Sequence, residues 1–376
     1  MLNNIIRVLH VQMGMNRAGI ETMIMNYFRH MDRTKIMFDF AGYMRKKCDY
    51  DDEIIRLGGR IFYYPKYNVY NHWEFVKWWE DFFDTHPEYK IVHGHSEGTY
   101  AIYLKIAKKH GCITIAHSHS AYGIEMPTPK SIMFKLSSLR TRSISHYFFG
   151  CSKQALIDKF GKKIARDRNR SKVINNAINV QKFSFDNYRR NIIREKMGLR
   201  KRLLVIGTVG RMERPKNPFF ILNILKNLNA RGADFIFLWC GIGKEEKKIK
   251  KWVWKNKLQE KVKLLGQRGD IENILLAMDV FIMPSLWEGL SVACIEAQAS
   301  GLPIIVSDSV SQECDITGNC KFLPCDNADQ WCNEIVKTSY DHVRINTYTQ
   351  IVNAGYDISV EAKKLTDIYT NIERKC

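Results

Sequence analysis

Short apolar segments alternate with amphipathic segments along the whole chain, and this alternation constrains the fold more than any other feature of the sequence. In the first half, strands are predicted over 5–11, 91–93 and 112–116, with helices over 21–30 and 99–109. The second half repeats the pattern, with predicted strands over 202–207, 234–240, 262–265, 279–283 and 303–306 and predicted helices over 218–228 and 292–299. Strand–helix–strand order predicts parallel sheets covered by helices on both faces. The expected fold class is therefore α/β, with two doubly wound, Rossmann-like domains facing a central cleft.

The length of 376 residues also suits two domains of ordinary size. The connecting region 176–202 is polar, basic and helix-poor at its start, which favours a boundary near Phe185. We expect an N-terminal domain over 1–185 and a C-terminal domain over 186–357. The final segment, 358–376, is expected to form a helix that packs back on the N-terminal domain.

The charge balance is the unusual bulk property. The chain has 58 Lys and Arg against 39 Asp and Glu, a formal net charge of +19, which favours an anionic partner: nucleic acid, an acidic membrane or a phosphorylated small molecule. No nucleic-acid-binding module is recognisable, so nucleic acid is not expected as a partner. The basic segments 130–142 and 166–172 are candidates for facing an anionic membrane, with a core helix and a solvated loop as the equally weighted alternatives.

We expect neither a signal peptide at the N-terminus nor a membrane-spanning helix. The first apolar run is too short for a signal peptide, and the weakly charged window 289–307 contains Glu296 and Pro303, which argues against a membrane-spanning helix. Ten scattered cysteines fit reduced thiols, and the gaps between Cys314, Cys320, Cys325 and Cys332 match no common zinc pattern. We expect a cytoplasmic protein, with peripheral attachment to the inner face of the cell membrane as one possibility.

In doubly wound sheets, ligands bind beyond the carboxyl ends of the strands. The first such loop contains Gly14 and Gly19 just before a helix, where a backbone free of side chains can approach a phosphate. A simple tight turn would use the same residues.

Two histidine pairs lie at the ends of further predicted strands: His93 and His95, then His117 and His119. A metal site is disfavoured because neither pair has a third ligand at a suitable spacing. Hydrogen bonding of His117 or His119 to a hydroxylated ligand is the functional hypothesis, and a structural histidine is the equally weighted alternative.

The loop after strand 202–207 contains Gly210, Arg211 and Lys216. A glycine brings backbone close to a ligand, while a guanidinium fork and an ammonium point charge together suit a diphosphate. A solvated basic loop would explain the cations but not the adjacent glycines.

Two carboxylates flank a predicted helix start in the segment SLWEGLSVACIEAQASG at 285–301. Backbone N–H groups near Gly289, Leu290 and Ser291 would be free for an anion, with Ser291 as the N-cap. Glu288 and Glu296 lie up to about 12 Å apart if the segment is helical, a separation that suits two sugars on either side of a diphosphate. The alternative is that Glu296 forms a salt bridge on the helix face.

Taken in order, these motifs resemble the retaining glycosyltransferases of family GT4, which have the GT-B fold. The resemblance extends over nearly the whole chain, through RAGIETMIMNYFR, CSKQALIDKFG, VINNAINVQKF, GRMERPKN, LWCGIG, VKLLGQRGDIENILLAMDVFIMPS and EGLSVACIEAQASGLPIIVSD. Glu288 and Glu296 match the E-x7-E signature. Within the family, the chain is most similar to enzymes of bacterial capsule and exopolysaccharide assembly.

The resemblance implies the following roles. Arg211 and Lys216 should bind the donor diphosphate, Glu296 the ribose, and Glu288 with the amides after it the donor hexose. His117 or His119 should lie near the sugar hydroxyls, and Arg268 near the base. Gly14 and Gly19 should lie between the acceptor and donor sites, although Ala18-Gly19 here replaces the usual Gly-Gly.

The resemblance further implies an NDP-sugar donor, most simply a UDP-sugar, an α-linked product, an acceptor carried on a polyprenyl diphosphate or an oligosaccharide, and no cofactor or divalent metal. The hypothesis for the mechanism is same-face substitution with the departing phosphate as base. Asp49-Tyr-Asp51 looks like a metal-binding DxD motif but follows no predicted strand, so a solvated loop is expected. The alternatives are a non-catalytic or nucleic-acid-binding basic protein, or a GT-B sugar-nucleotide epimerase.

Overall fold

The chain forms two compact units in a computed structural model that describes residues 5–119, 139–288, 290–341 and 343–374. The first unit comprises Met1–Ala177 together with Ile358–Cys376, and the second comprises Ile178–Asp357. Each unit contains one parallel sheet.

Within the described residues, the sheet of the first unit has seven strands in the order β3-β2-β1-β4-β5-β6-β7, and every neighbouring pair is parallel. Its strands are β1 (Ile6–Val11), β2 (Ile36–Gly42), β3 (Ile61–Tyr63), β4 (Ile91–Gly94), β5 (Ile113–Ser118), β6 (Tyr147–Gly150) and β7 (Ser171–Val173). The strand order reverses direction between β1 and β4, which is where doubly wound sheets bind ligands.

The sheet of the second unit repeats this order with six strands, β10-β9-β8-β11-β12-β13, again all parallel. Its strands are β8 (Leu204–Val209), β9 (Phe235–Cys240), β10 (Val262–Gly266), β11 (Val280–Met283), β12 (Ile304–Ser307) and β13 (Cys320–Leu323). The reversal lies between β8 and β11. Two parallel Rossmann-like domains are thus present, as the sequence predicted.

Helices connect the strands in both units. In the first unit they are α1 (Gly19–His30), α2 (Asp51–Arg56), α3 (His72–Thr85), α4 (Tyr100–Lys109), α5 (Lys153–Phe160) and α6 (Lys162–Ala165). In the second unit they are α7 (Val180–Phe183), α8 (Asn187–Lys196), α9 (Pro218–Ala230), α10 (Glu246–Lys255), α11 (Ile271–Ala277), α12 (Val292–Ala299), α13 (Ala328–Asp341) and α14 (Tyr348–Asn353).

A closing helix, Ile358–Glu373, returns the end of the chain to the first unit. Its buried apolar residues recur every three or four positions and form one stripe: Ile358, Ala362, Leu365, Tyr369 and Ile372. This stripe packs in the same core as the buried face of α1. The first unit is therefore built from both ends of the sequence.

The units divide between Ala177 and Ile178, eight residues before the boundary expected at Phe185. The reason is the short helix α7, whose Val180 and Phe183 are buried in the core of the second unit. The Ser300 hydroxyl also donates a hydrogen bond to the Phe183 carbonyl at 3.0 Å.

The two basic segments have different outcomes. Residues 130–138 lie outside the described residues, so the hypothesis that they face a membrane stays open. In 166–172, the Arg170 guanidinium donates to the carbonyls of Ser145 and His146, at 2.8 and 2.9 Å, and Ser171 begins β7. Within the described ranges, the helices lack the combination of length and apolar character that is needed to cross a bilayer.

Candidate active site

The loop after β1 leads into α1 at the point where the first sheet reverses its strand order. A side chain at Gly14 would place its Cβ 2.8 Å from the Met44 sulfur and 3.1 Å from the Cys48 sulfur, so glycine is required here by packing within the unit. Gly19 begins α1, and a Cβ there would meet nothing within 4 Å. The two glycines therefore differ: Gly14 is sterically confined and Gly19 is open.

The DxD-like sequence beside this loop differs from its expected form. Asp51 is buried at the start of α2, and its carboxylate accepts a hydrogen bond from the Cys48 amide at 2.8 Å. Asp49 accepts from the Arg17 amide at 2.9 Å. The prediction of a solvated loop is therefore wrong for Asp51, whose carboxylate stabilises the turn by its hydrogen bond to the Cys48 amide.

Five histidines meet at the carboxyl edge of the first sheet. They come from three adjacent strands and the residues just after them: His10, His93, His95, His117 and His119. Both β4 and β5 extend further than predicted. His93 lies inside β4, consistent with the predicted strand 91–93, whereas His117 lies inside β5 rather than after it. His117 is fully buried, whereas His119 is only partly buried just beyond β5.

The imidazoles contact one another directly. His10 Nδ1 lies 2.9 Å from His95 Nε2, and His95 Nδ1 lies 2.7 Å from His119 Nε2. His93 Nε2 lies 3.1 Å from His117 Nδ1. Burial lowers the pKa of His10 and of His119 to about 3, and it lowers the pKa values of the other three well below the ordinary value. These side chains are therefore neutral hydrogen-bonding groups at physiological pH.

The sequence argument against a metal, that a third ligand is lacking, is wrong. One ring nitrogen from each of His10, His93 and His95 lies within 4.8 Å of the others, and the same holds for His95, His117 and His119. However, ligands of a tetrahedral ion with bonds of about 2.05 Å lie about 3.3 Å apart. The direct nitrogen–nitrogen distances of 2.7–3.1 Å are those of hydrogen bonds.

In the second unit, the loops after the adjacent strands β8 and β11 are joined by an ion pair. The Lys216 ammonium contacts the Glu288 carboxylate, and both side chains are about one-fifth exposed, at 20% and 22%. The Leu286 amide donates to the Pro215 carbonyl at 2.9 Å, which fixes one loop against the other. The fold therefore brings together two predicted site residues, Lys216 and Glu288, that are 72 positions apart in the sequence.

The glycine at position 210 leaves room for the Lys216 side chain. A Cβ there would lie 3.3 Å from Lys216 Cε, and the Gly210 carbonyl accepts a hydrogen bond from the Trp239 indole at 3.2 Å. Arg211 is largely exposed, at 63%, and pairs with Glu213 at 3.1 Å. The turn thus holds one cation in place and leaves the other at the surface.

Helix α12 begins at Val292, as predicted, with Ser291 in the extended N-cap conformation. The Ser291 side chain makes no capping hydrogen bond, so the prediction that it caps the helix holds for its backbone position only. Leu290 is buried at 8%, and Gly289 lies outside the described residues.

Glu296 lies within α12 and is the most perturbed carboxyl group of this edge. Its pKa is raised to about 8, chiefly by burial; Lys182 opposes this shift, and Glu272 makes a smaller contribution in the same direction as burial. None of the ion pairs found in the described ranges involves Glu296, whereas Lys182 pairs with Glu272 at 3.1 Å. Glu296 is thus mostly protonated at neutral pH, and the salt-bridged alternative is not observed.

Arg268, expected near the base, lies in the loop after β10. Its guanidinium makes two parallel hydrogen bonds of 2.8 Å to the Asp270 carboxylate. Both side chains remain partly exposed, at 42% and 37%. Arg268 is therefore oriented by Asp270, and its expected contact with the base stays a prediction.

Two participants were missed by the sequence reasoning. His10 joins the histidine group from β1, and Tyr369 of the closing helix lies 2.6 Å from His93 Nδ1 through its hydroxyl. The signal for His10 was available, since it is a polar residue near the end of a strand that adjoins β4 in this strand order. Nothing local in the sequence distinguishes Tyr369 from the other apolar-stripe residues of its helix.

Comparison with solved structures identifies the class of fold. Anabaena Alr3699/HepE, solved in complex with UDP-glucose, superposes with a TM-score of 0.75 at 14% identity, covering 97% of this chain and 99% of that one. Sucrose-phosphate synthase of Thermosynechococcus elongatus gives a TM-score of 0.77 at 14% identity, covering 98% of this chain and 100% of that one. The fold is that of the GT-B glycosyltransferases.

Comparison of sequences identifies the family. A family model for glycosyl transferases group 1 matches residues 189–356. EpsF of Bacillus subtilis (strain 168), which is named as a glycosyltransferase, is 33% identical over 314 residues, or 82% of this chain and 81% of that protein. An Escherichia coli UDP-Gal:alpha-D-GlcNAc-diphosphoundecaprenol alpha-1,3-galactosyltransferase is 29% identical over 304 residues, 76% of each chain. The chain belongs to the group 1 glycosyltransferases, and is therefore an enzyme that transfers glycosyl groups.

Proposed function

We propose that this enzyme is a retaining glycosyltransferase of polysaccharide biosynthesis, which moves a hexose or N-acetylhexosamine from a UDP-sugar to a lipid-linked acceptor with α-linkage. One observation carries the proposal: Lys216 and Glu288 are held together at the strand-order reversal of the second sheet. This edge is where a doubly wound sheet binds a nucleotide. An ammonium beside a carboxylate offers one group for the diphosphate and one for sugar hydroxyls.

The diphosphate would be bound mainly by positive groups of two loops. Lys216 can exchange its carboxylate partner for a phosphate oxygen, and Arg211 is exposed enough to swing toward the same anion. The amides at the start of α12 would add the positive end of the helix dipole. We infer that these groups supply the charge that a divalent metal provides elsewhere, so no metal is needed.

The sugars would be bound by the two glutamates. Released from Lys216, Glu288 can accept hydrogen bonds from the donor hexose. Glu296, which is mostly protonated, can both donate to and accept from the ribose hydroxyls. A half-buried carboxyl group that forms no ion pair with the described residues suits an uncharged diol.

In the reaction, the bond between the sugar C1 and the diphosphate oxygen breaks, and a bond from an acceptor hydroxyl oxygen to C1 forms on the same face. The proton of that hydroxyl passes to the departing phosphate oxygen, and UDP leaves. Lys216 and Arg211 would stabilise the charge that develops on the leaving group. His119, the most accessible of the five histidines, would hydrogen-bond a sugar hydroxyl.

The acceptor proposal rests on the relatives. The Escherichia coli protein is named for a GlcNAc-diphosphoundecaprenol acceptor, and a lipopolysaccharide glycosyltransferase, WaaG, shares the fold with a TM-score of 0.70. A formal charge of +19 is compatible with an acceptor displayed on an anionic membrane. We therefore propose peripheral attachment to the inner membrane face.

The test is turnover of a donor panel comprising UDP-glucose, UDP-galactose, UDP-N-acetylglucosamine, UDP-N-acetylgalactosamine and GDP-mannose. Each would be offered with a short-chain lipid diphosphate carrying α-linked N-acetylglucosamine, and the product anomer read by NMR. We expect one UDP-sugar to be transferred with retention. Turnover of GDP-mannose alone would contradict the choice of base, and a β-linked product would contradict the stereochemistry.

The role of Glu288 can be tested with the variant Glu288→Gln. It keeps side-chain shape but removes the charge that pairs with Lys216, and transfer should fall by about tenfold or more. Glu260→Gln, at a carboxylate that is 96% exposed, should leave transfer unchanged. Equal activity of both variants would remove Glu288 from the site.

A further inference from the structure

The five histidines, of which all but His119 are buried, are arranged as two hydrogen-bonded rows. The first row runs from His10 through His95 to His119, by contacts of 2.9 and 2.7 Å. The second runs from the Tyr369 hydroxyl through His93 to His117, by contacts of 2.6 and 3.1 Å. The first row connects a fully enclosed ring, His10, with the partly exposed His119.

A neutral imidazole has one N–H donor and one bare acceptor nitrogen. In the first row, both nitrogens of His95 are used, so the direction of one bond fixes the direction of the other. The row therefore has two states. Either His10 donates to His95 and His95 donates to His119, or both bonds run the opposite way.

The two states leave different atoms at the ends of the row. His10 Nε2 is buried and has no hydrogen-bond partner within the described part of the chain. If the bonds run outward from His10, this atom is a bare nitrogen; if they run inward, it is a buried N–H without an acceptor. Among backbone groups, orphaned buried N–H donors are rarer than under-satisfied acceptors. We apply the same preference to the imidazole, which favours the outward direction.

We propose that His10 and His95 are positioning residues that fix His119 in one tautomer, with Nε2 bare and Nδ1 protonated. His119 then faces a ligand as a hydrogen-bond donor and cannot act there as a base. The consequence for a sugar rests on the proposed function, whereas the tautomer is a property of the unliganded protein. A donor at this position would bind a hydroxyl oxygen while the departing phosphate takes the acceptor proton.

The tautomer can be measured directly on the full chain labelled with ¹⁵N in histidine. Couplings between the ring nitrogens and the carbon-bound ring protons distinguish Nδ1–H from Nε2–H, and His119→Gln identifies the His119 signals by their loss. We expect a single Nδ1–H tautomer for His119. An Nε2–H tautomer, or a mixture in the wild-type protein, would overturn the proposal.

Two variants of His10 separate positioning from packing. His10→Phe keeps a ring but removes the donor, so His119 should become a mixture of tautomers. His10→Asn places an amide N–H where Nδ1 was and should restore the single tautomer, although it leaves a larger void. An unchanged spectrum in His10→Phe would overturn the proposal. If that variant does not fold, the tautomer of His119 in the wild-type spectrum is the test of the proposal.

Kinetics supply a readout that does not depend on stability. We expect His10→Phe to lower kcat by about tenfold and to change the donor KM by less than about twofold, with His10→Asn recovering most of kcat. Loss of kcat in both variants alike would indicate packing and count against positioning. If no glycosyl transfer is detected with any donor, the proposed function fails while the NMR result still decides the tautomer.

A metal provides the last discriminating outcome. Protein purified without chelator would be analysed for bound zinc, copper, nickel and cobalt. We expect less than stoichiometric metal and an unchanged histidine spectrum after dialysis against EDTA. One tightly bound ion per chain that alters the His119 signals would replace the hydrogen-bonded row by a coordination site and overturn the proposal.

Discussion

The two sheets share a strand order but carry opposite chemistry at the edge where that order reverses. In the first unit, this edge holds five histidines that burial keeps neutral and that contact one another at hydrogen-bond distances. In the second unit, this edge holds full charges: Lys216 is paired to Glu288 at the reversal itself, and Arg268 is paired to Asp270 farther along, after β10.

The difference shows that topology selects a location and leaves the chemistry to the side chains. Neutral imidazoles can bind hydroxyl groups without the cost of burying a charge. An ion pair in a partly exposed loop can exchange its carboxylate for a phosphate. One edge therefore suits uncharged sugar groups and the other suits an anion.

The largest expected effect comes from breaking the charged edge. Lys216→Ala should lower kcat by roughly 10²–10³-fold, because one stabilising charge on the leaving group is lost. Turnover at saturating donor would be compared with that of Lys226→Ala, an exposed lysine of α9 in the same unit. Unaltered turnover at saturating donor would show that Lys216 does not stabilise the leaving group.

The neutral edge should respond somewhat less. His119→Ala should lower kcat by about 10²-fold, because one positioned hydrogen-bond donor is lost, whereas His117→Ala, at a fully buried position, should mainly lower Tm. Steady-state kinetics and thermal melts of both would be compared with those of His30→Ala, an exposed histidine of α1. A greater loss of kcat from His117→Ala would reverse the assignment of the accessible histidine.

A smaller effect is expected on the pH dependence of folding stability, through Glu296 in the second unit. In the fold, the pKa of Glu296 is raised to about 8 from an ordinary 4.5, so the folded state keeps a proton that the unfolded chain releases. The group therefore costs stability increasingly as pH rises from 4.5 to 8.

Glu296→Gln should remove this cost. We expect its Tm to equal that of the wild type near pH 4 and to exceed it by about 3 °C at pH 8. Melting curves over this pH range, with Glu260→Gln as the exposed control, would test the shift. A Tm difference that does not depend on pH would mean that the carboxyl group ionises normally.

The smallest expected effect is that of metal removal. If the cationic side chains and the helix amides balance the negative charge of the diphosphate, then EDTA should change turnover by less than about twofold. Adding back Mg²⁺ or Mn²⁺ provides the control. A strong dependence on either ion would mean that the charged edge is incomplete without it.

Much of this organisation could be predicted from the sequence. Strands and helices with clear periodicity, such as β1 and α12, were located within a residue or two, and the strand-end rule pointed to Lys216, Glu288 and the histidines. The rule works because parallel strands bring all their carboxyl ends to one edge.

Other features depend on contacts that no local pattern reveals. The contact of Tyr369 with His93 joins residues 276 positions apart, and the burial of Asp51 depends on how α2 meets the preceding turn. The boundary shifted from Phe185 to Ala177 because α7, although short, buries Val180 and Phe183 in the second core. The state of Glu296 likewise depends on desolvation rather than on its neighbours in sequence.

The closing helix has a consequence for how the protein is made. The second unit is one uninterrupted stretch, Ile178–Asp357, whereas the first unit lacks part of its core until residues 358–373 have been synthesised. On the ribosome, the domain that is translated first can only be finished last, after its neighbour has emerged. Premature termination near residue 357 would therefore destabilise the first unit, although most of that unit lies far in sequence from the deleted closing helix.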